Sequence, residues 1–378
     1  MSDLPAKSSI SPDASEVKRS FTPTNTVSGI ISGNGYGVSD KHTIPIVSPN
    51  YVQQYLLPAT DELSSQIYCS RDKIFNILSQ NIKQDYVQPL LVVTGPSALL
   101  SVPQAKACGS WVQKLFPDDK AVFLSMRTNL KSYNKSYAPL DSPSFPSIMT
   151  FDIAEGIPEC RDLLYELAQK VPLVGDVCDL ITPQFFHDLF SLGSVSSTLA
   201  ESQLHREMIS ACSFAVGVQT SDSNLPFDKQ FYSYKVASTL DAMYASSQPH
   251  QFLNITKAGL VAVVGTVGNP NTFVILEVNS QLNLQELKQY IDQIYNYPKH
   301  NNNIPKVMLD LGKVDNESYS HKLSLVQQLF ADESIAKKIN GVMIDSGDKY
   351  DTETELTVNT EKIIGELSKL SKVRMQSA

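Results

Sequence analysis

Short runs of Val, Ile and Leu alternate with amphipathic stretches along most of this chain. Leu90-Leu-Val-Val-Thr-Gly95, Ala121-Val-Phe-Leu-Ser-Met-Arg127, Pro172-Leu-Val-Gly-Asp-Val177 and the weaker Ser194-Val-Ser-Ser197 are the first four of strand length. Ala215-Val-Gly-Val-Gln219, Thr272-Phe-Val-Ile-Leu-Glu277, Lys306-Val-Met-Leu-Asp310 and Gly341-Val-Met-Ile-Asp345 follow. Apolar runs without polar alternation mark strands buried on both faces, the pattern of a parallel sheet covered by helices. Helical periodicity fills most gaps, as over 104–116, 157–170 and 318–339, and a last helix is expected over 359–373. Eight such units predict an α/β fold, a (β/α)8 TIM barrel. A doubly wound open sheet is the alternative, but no G-x-G-x-x-G follows the first strand.

Local signals refine this frame. Thr60-Asp-Glu62 caps a helix running towards Gln80. Pro183 behind Thr182 reads as a first helical residue after a capping Thr. Glu201-Ser-Gln-Leu-His-Arg-Glu207 reads as a helix start with Leu204 and Met208 on one face. Residues 251–267 read as a β-hairpin inserted in the barrel, turning at Lys257-Ala-Gly259. The Ser-, Thr-, Pro- and Gly-rich residues 1–55 read as a disordered N-terminal tail, and 56–378 as the barrel. Gly29-Ile-Ile-Ser-Gly-Asn-Gly-Tyr-Gly37 imitates a phosphate loop, but neither strand nor helix flanks it.

Composition narrows the partners. The chain has 378 residues, of which 42% are hydrophobic, so a large core can form. A net charge of −8 argues against nucleic acid, which calls for clustered Lys and Arg. No apolar run reaches membrane-spanning length, and no secretory signal is visible. Cys69, Cys108, Cys160, Cys178 and Cys212 form no C-x-x-C pair, so reduced thiols and a cytoplasmic setting are expected.

One set of motifs then identifies a family. Pro58-Ala-Thr60, Leu91-Val-Val-Thr-Gly-Pro96, Met126-Arg127, Leu180-Ile-Thr-Pro-Gln184, Glu201–Glu207, Ala215-Val-Gly217, Thr256-Lys257 and Gly341-Val-Met-Ile344 occur in one order. In these the chain resembles type I 3-deoxy-D-arabino-heptulosonate 7-phosphate (DAHP) synthase. The run E-S-Q-L-H-R-E is the most specific piece. The resemblance implies a metal-dependent barrel that condenses phosphoenolpyruvate with erythrose 4-phosphate at the head of the shikimate pathway, towards aromatic amino acids.

The same resemblance locates the chemistry, and there the chain departs from the pattern. The family holds a divalent metal with Cys, His, Glu and Asp, a donor set suited to such a cation. Ser97 stands where the family has the Cys, Lys313 where it has the His, and Asp345 where it has the Glu. An ammonium has no lone pair to offer a metal. Asp351 and Glu353 are the alternatives for the last ligand. On the substrate side Arg127 is retained, with Lys131 or Lys135 nearby. Thr198, Gln219 and Glu277 replace Arg, Lys and Arg. An opposite-charge pair about 4 Å apart is worth roughly 4 kcal/mol at an effective dielectric of 20, so Glu277 facing a phosphate implies a swing of roughly 8 kcal/mol.

These substitutions imply a DAHP synthase relative that has lost catalysis and acts as an interaction or regulatory partner. A homo- or hetero-oligomer is expected, including one with an active paralogue, with no nucleic acid, no membrane and no cofactor. Two alternatives stand beside it. One is an active synthase with a rebuilt site, which requires the divalent metal; the other is an aromatic amino-acid sensor. Lys313 is expected to replace the cation by pairing with Asp310 or Asp345. His187 and His205, each in a helix, read as structural, and Trp111 as packing.

Overall fold

The computed structural model describes residues 46–79, 88–115, 119–130, 153–220, 227–297 and 307–376. Eight parallel strands close into a barrel: β1 (Leu90–Gly95), β2 (Val122–Arg127), β3 (Leu173–Asp176), β4 (Leu192–Val195), β5 (Ala215–Gln219), β8 (Thr272–Glu277), β9 (Val307–Lys313) and β10 (Ile339–Asp345). The ring order is β1-β10-β9-β8-β5-β4-β3-β2. β4 starts and ends two residues earlier than the expected run at Ser194–Ser197, because Leu192 and Gly193 pair with Ala215 and Val216. β9 runs on past Asp310 to Lys313.

Strand parity sorts the side chains. Leu91, Val93, Phe123, Val174, Leu192, Ala215, Phe273, Ile275, Met308 and Met343 form one cluster, and intervening residues such as Val92, Val216, Leu309 and Val342 pack with the helices instead. The inner cluster is completed by Ile74, Ile77 and Leu78 of α2 (Asp61–Leu78). Small residues make room for large ones. A Cβ on Gly217 would lie 2.5 Å from Ile275, and one on Gly341 would lie 2.6 Å from the Leu91 carbonyl oxygen.

The helix α2 therefore closes one end of the barrel. Thr60 Oγ1 accepts from the Leu63 N–H at 3.2 Å, and Asp61 and Glu62 sit in the first turn, where the helix dipole favours acids. Asn340 Nδ2 donates to the Ile77 carbonyl at 2.6 Å, and Arg71 donates to the carbonyls of Phe190 and His187. With that end filled, the carboxyl ends of the strands are left for a site.

The covering helices are α3 (Val102–Lys114), α4 (Ile153–Ala168), α5 (Gln203–Ala211), α6 (Lys229–Ser246), α7 (Leu284–Tyr295), α8 (Asn316–Ala331), the short α9 (Glu333–Ala336) and α10 (Glu355–Gln376). The expected single helix over 318–339 is broken at Asp332. That residue ends α8 with ψ 101 and accepts from Ser334 N at 3.1 Å to start α9, and Ile339 already belongs to β10. Thr182 is not a cap. It opens a 3-10 turn, Thr182–Phe185, and Asp179 Oδ1 accepts from the N–H groups of Ile181 and Thr182. On α5 Met208 is buried, whereas Leu204 is 52% exposed, so the two do not share a core face.

The tail boundary at 55 also shifts. Ser48 caps the turn α1 (Pro49–Tyr51), a π-helical turn Val52–Leu56 follows, and Val52 is fully buried. Residues 1–45, with the Gly29–Gly37 run, lie outside the described residues. β6 (His250–Ile255) and β7 (Val261–Thr266) pair antiparallel as a separate hairpin. Its turn passes through Gly259 at φ +82, a conformation open to glycine without strain. Phe252 and Asn254 face inward, while Leu253, Val261 and Val263 are exposed.

Candidate functional site at the barrel mouth

Parity carries five polar residues to the carboxyl ends of the strands on the inner face. Arg127 follows Phe123, Asp176 follows Val174, Gln219 follows Ala215, Glu277 follows Ile275, and Asp345 follows Met343, each at even spacing. Asp310 follows Met308 in the same way and pairs directly with Glu277 in the ladder. Two ionised carboxylates on neighbouring strands, about 5 Å apart, repel by roughly 3 kcal/mol at an effective dielectric of 20. The mouth needs cations of its own.

Arg127 supplies the first. Its Nε donates to the Pro96 carbonyl at 2.7 Å, and its Nη2 lies 3.2 Å from Asp345 Oδ2, with both side chains 9% exposed. Asp345 Oδ1 accepts from Gly347 N at 2.9 Å. Asp310 Oδ1 accepts from Gly312 N at 2.8 Å. Burial pushes the Asp310 carboxyl above the usual carboxylate range; Arg127 and the Gly312 N–H oppose the shift, and Asp345 adds to it. Glu277 is fixed through its backbone, its N–H donating to Thr220 Oγ1 and its carbonyl accepting from Tyr232 Oη at 2.6 Å. Its Oε1 accepts from Asn279 Nδ2 at 3.3 Å.

A further lysine, Lys322, reaches the end of β9, and the sequence reading missed it. It lies on α8, seven residues after the capping Asp315 and hence on the same helix face. Its Nζ donates to the Lys313 carbonyl at 2.5 Å. Burial lowers its pKa, and the attraction of Asp315, Asp310, Asp345 and Glu277 opposes that shift. The expected pairing of Lys313 with Asp310 or Asp345 is corrected here. Lys313 is exposed at the end of β9, and its carbonyl accepts from Lys322 Nζ.

The remaining positions scatter. Ser97 is exposed, and its carbonyl accepts from Asn129 Nδ2 at 3.2 Å. Thr198 is exposed and shares a hydrogen bond with Ser196 at 2.9 Å. Gln219 is half-buried at the end of β5, its carbonyl accepting from Thr239 Oγ1. Asp351 and Glu353 are exposed. Lys131 and Lys135 lie outside the described residues. Among the described residues no group of three or more His, Cys, Asp and Glu is arranged to hold a metal ion.

The Glu201–Glu207 run stitches the loop between β4 and α5. His205 contacts Ser202 Oγ at 2.9 Å and the Cys178 carbonyl at 3.2 Å, Arg206 Nε donates to the Ala200 carbonyl at 2.7 Å, and Glu201 pairs with Lys235 at 3.4 Å. His187 sits edge-on to Phe214, with ring centroids 5.2 Å apart. Burial pushes its pKa down to about 3, Lys257 and Arg71 push the same way, and Asp188 opposes them. Trp111 tilts against Tyr350 and donates to Glu361 at 2.7 Å.

A second polar cluster was also not foreseen. Arg161 is fully buried and grips both oxygens of Asp188, at 2.9 and 2.7 Å, together with the carbonyls of Phe185 and Leu57. Gln53 donates to Asp188 and to the Gln184 carbonyl, and Lys257 of the hairpin donates to that same carbonyl.

The profile of the DAHP synthetase I family matches residues 74–373. The chain belongs to this family. It is 30% identical over 317 residues to the phospho-2-dehydro-3-deoxyheptonate aldolase AMT16 of Alternaria alternata, covering 82% of this chain and 80% of that one. It is 33% identical over 235 residues to the phenylalanine-inhibited phospho-2-dehydro-3-deoxyheptonate aldolase of Saccharomyces cerevisiae, covering 61% of this chain and 59% of that one. A solved phospho-2-dehydro-3-deoxyheptonate aldolase from Francisella tularensis superposes with a TM-score of 0.69 at 23% identity, over 88% of this chain and 99% of that one. That likeness speaks for the fold, and the barrel closed from eight parallel strands agrees with it.

Proposed function

We propose that this member of the DAHP synthetase I family no longer carries out the family condensation and works as an interaction or regulatory partner. The observation that carries the reading is the pairing of Arg127 with Asp345 inside an acidic mouth. Arg127 is the phosphate-gripping residue that the resemblance retains, and here a carboxylate of the same chain holds it. Glu277 and Asp310, paired at the ends of β8 and β9, add carboxylates to the same rim of the barrel, where a phosphorylated substrate needs positive charge.

The residues present do not fit the family metal. Ser97 offers an exposed hydroxyl, Lys313 an exposed ammonium, and Asp345 spends its two oxygens on Arg127 and Gly347 N. No cofactor is therefore assigned. No described helix is long and apolar enough to cross a membrane. A cytoplasmic setting, and assembly with itself or with an active relative, complete the proposal; nucleic acid and membrane are not partners in it.

The test is phosphoenolpyruvate consumption with erythrose 4-phosphate by the purified protein in the presence of manganese, cobalt or zinc, alongside metal analysis. The expected result is no turnover and no stoichiometric metal, together with co-purification of an active family member. Robust metal-dependent turnover overturns the proposal and establishes the active alternative suggested by the names of its relatives.

A further inference from the structure

We infer that the outer face of the β6–β7 hairpin pairs with the same face of a second copy of this chain, across a two-fold axis. The inference rests on the reading of the chain as an interaction partner, and supplies the face and its occupant.

The ribbon is apolar on both sides. Phe252 lies buried on the inner side. On the outer side Leu253 pairs with Val263, Ile255 with Val261 and Gln251 with Gly265. Strands apolar on both faces are built to be covered on both. Yet Leu253, Leu260, Val261, Val263 and Val267 are each at least 68% exposed. They present on the order of 600 Å² of apolar surface, the upper end of what a monomer leaves open and most of the roughly 800 Å² that a stable interface takes from each partner.

Gly265 is an independent observation. It sits inside β7 on the outer side, where glycine weakens a strand. The register runs through it unbroken, so it marks no bulge, and it is not among the glycines of positive φ. A Cβ built on it meets nothing within 4 Å among the described residues. The single chain therefore has no use for glycine here, whereas close approach of another backbone does.

Charge selects the occupant. With a net charge of −8 the chain repels its own copy over most of its surface. Residues 250–267 contain no acid and no arginine. Their two ionisable side chains are engaged with the body of the chain: Lys257 donates to the Gln184 carbonyl, and His250 bonds with the Ala245 carbonyl at 2.7 Å. On such a face two identical acidic chains meet without like-charge repulsion, and a two-fold axis asks only that the patch complement itself.

The experiment is sedimentation velocity of the full chain over a dilution series, with Val263→Lys and Gly265→Thr, and circular dichroism to check that each is folded. Wild type is expected at twice the chain mass or a multiple of it. Val263→Lys leaves its ammonium in water in the single chain but buries it unpaired in the complex. It is expected to halve the mass and to raise Kd on the order of 100-fold. Gly265→Thr puts a β-branched side chain into open space, and is expected to fold and to halve the mass as well. If Val263→Lys does not fold, Gly265→Thr decides. Wild-type mass in either folded variant overturns the inference. So does a Gly265→Thr protein that does not fold, since the chain itself then needs the glycine. A wild type that is monomeric, including one that pairs only with an active relative, overturns it too and leaves the loss of catalysis standing. Metal-dependent turnover by a wild type that pairs through this face overturns the proposed function and leaves the pairing standing.

Discussion

Arg127 and Asp345 meet at 3.2 Å across β1, from the ends of β2 and β10, with only 9% of either side chain exposed. The pair couples the two strands that flank β1. Removing the cation leaves Asp345 beside Asp310 in a site that burial has already made unfavourable for charge. Arg127→Met is expected to cost about 3 kcal/mol in urea unfolding. Adding Asp345→Asn should recover part of it, with a coupling energy of about 1.5 kcal/mol. Independent, additive losses would show that the contact carries no energy.

Arg161 has no solvent exposure and donates to Leu57, Phe185 and both oxygens of Asp188. Arg161→Met is expected to destabilise by about 3–5 kcal/mol, since it leaves Asp188 unpaired beside enclosed carbonyls. Arg161→Lys should not rescue it, because a single ammonium cannot match the planar fork. Denaturant midpoints of the two variants check this, and full stability of the lysine form would refute the fork argument.

Folding keeps His187 neutral, since its pKa falls from 6.5 to about 3. Below pH 6.5 the unfolded chain takes up a proton that the folded chain refuses, so this group lowers stability as the pH falls from 6.5 towards 3. Its share of the loss between pH 7.5 and 5 is about 2 kcal/mol. His187→Phe, which keeps an aromatic ring against Phe214, should remove that share. Urea titrations at both pH values measure it, and an unchanged pH slope in the variant would rule out His187 as its source.

A Cβ on Gly175 of β3 would stand 2.2 Å from the Phe190 ring. Gly175→Ala is expected to lose about 2 kcal/mol by overpacking, with strand pairing otherwise intact. Phe190→Leu in the same chain should return part of it by vacating the ring's space. Thermal melts of the single and double variants check the pair, and no recovery in the double would place the strain elsewhere.

Much of the barrel was legible because its signals are local. Apolar runs such as Leu90–Gly95 and Ala215–Gln219 became strands within a residue or two, and Thr60 capped its helix as its side chain predicts. Elements failed where a nearby aspartate capped the chain at a position that apolar periodicity does not mark. Asp332 splits a helix by serving two ends at once, and Asp179, rather than Thr182, holds the turn before Gln184. Leu204 looked like a core residue by spacing, yet α5 turns it to solvent.

By itself the sequence determined the eightfold strand–helix rhythm, the family motifs, and the replacement of family cations by Thr198, Gln219 and Glu277. It also placed Arg127, Glu277 and Asp345 at strand ends on one parity, because period two is a property of any strand. Tertiary structure alone decided that Arg127 would meet Asp345, that Lys322 would reach the Lys313 carbonyl at the end of β9, and that α2 would close the far end. Those outcomes depend on ring closure between β1 and β10 and on where each helix lands on the barrel. They are set by the packing of segments far apart in the chain, and no local pattern encodes them.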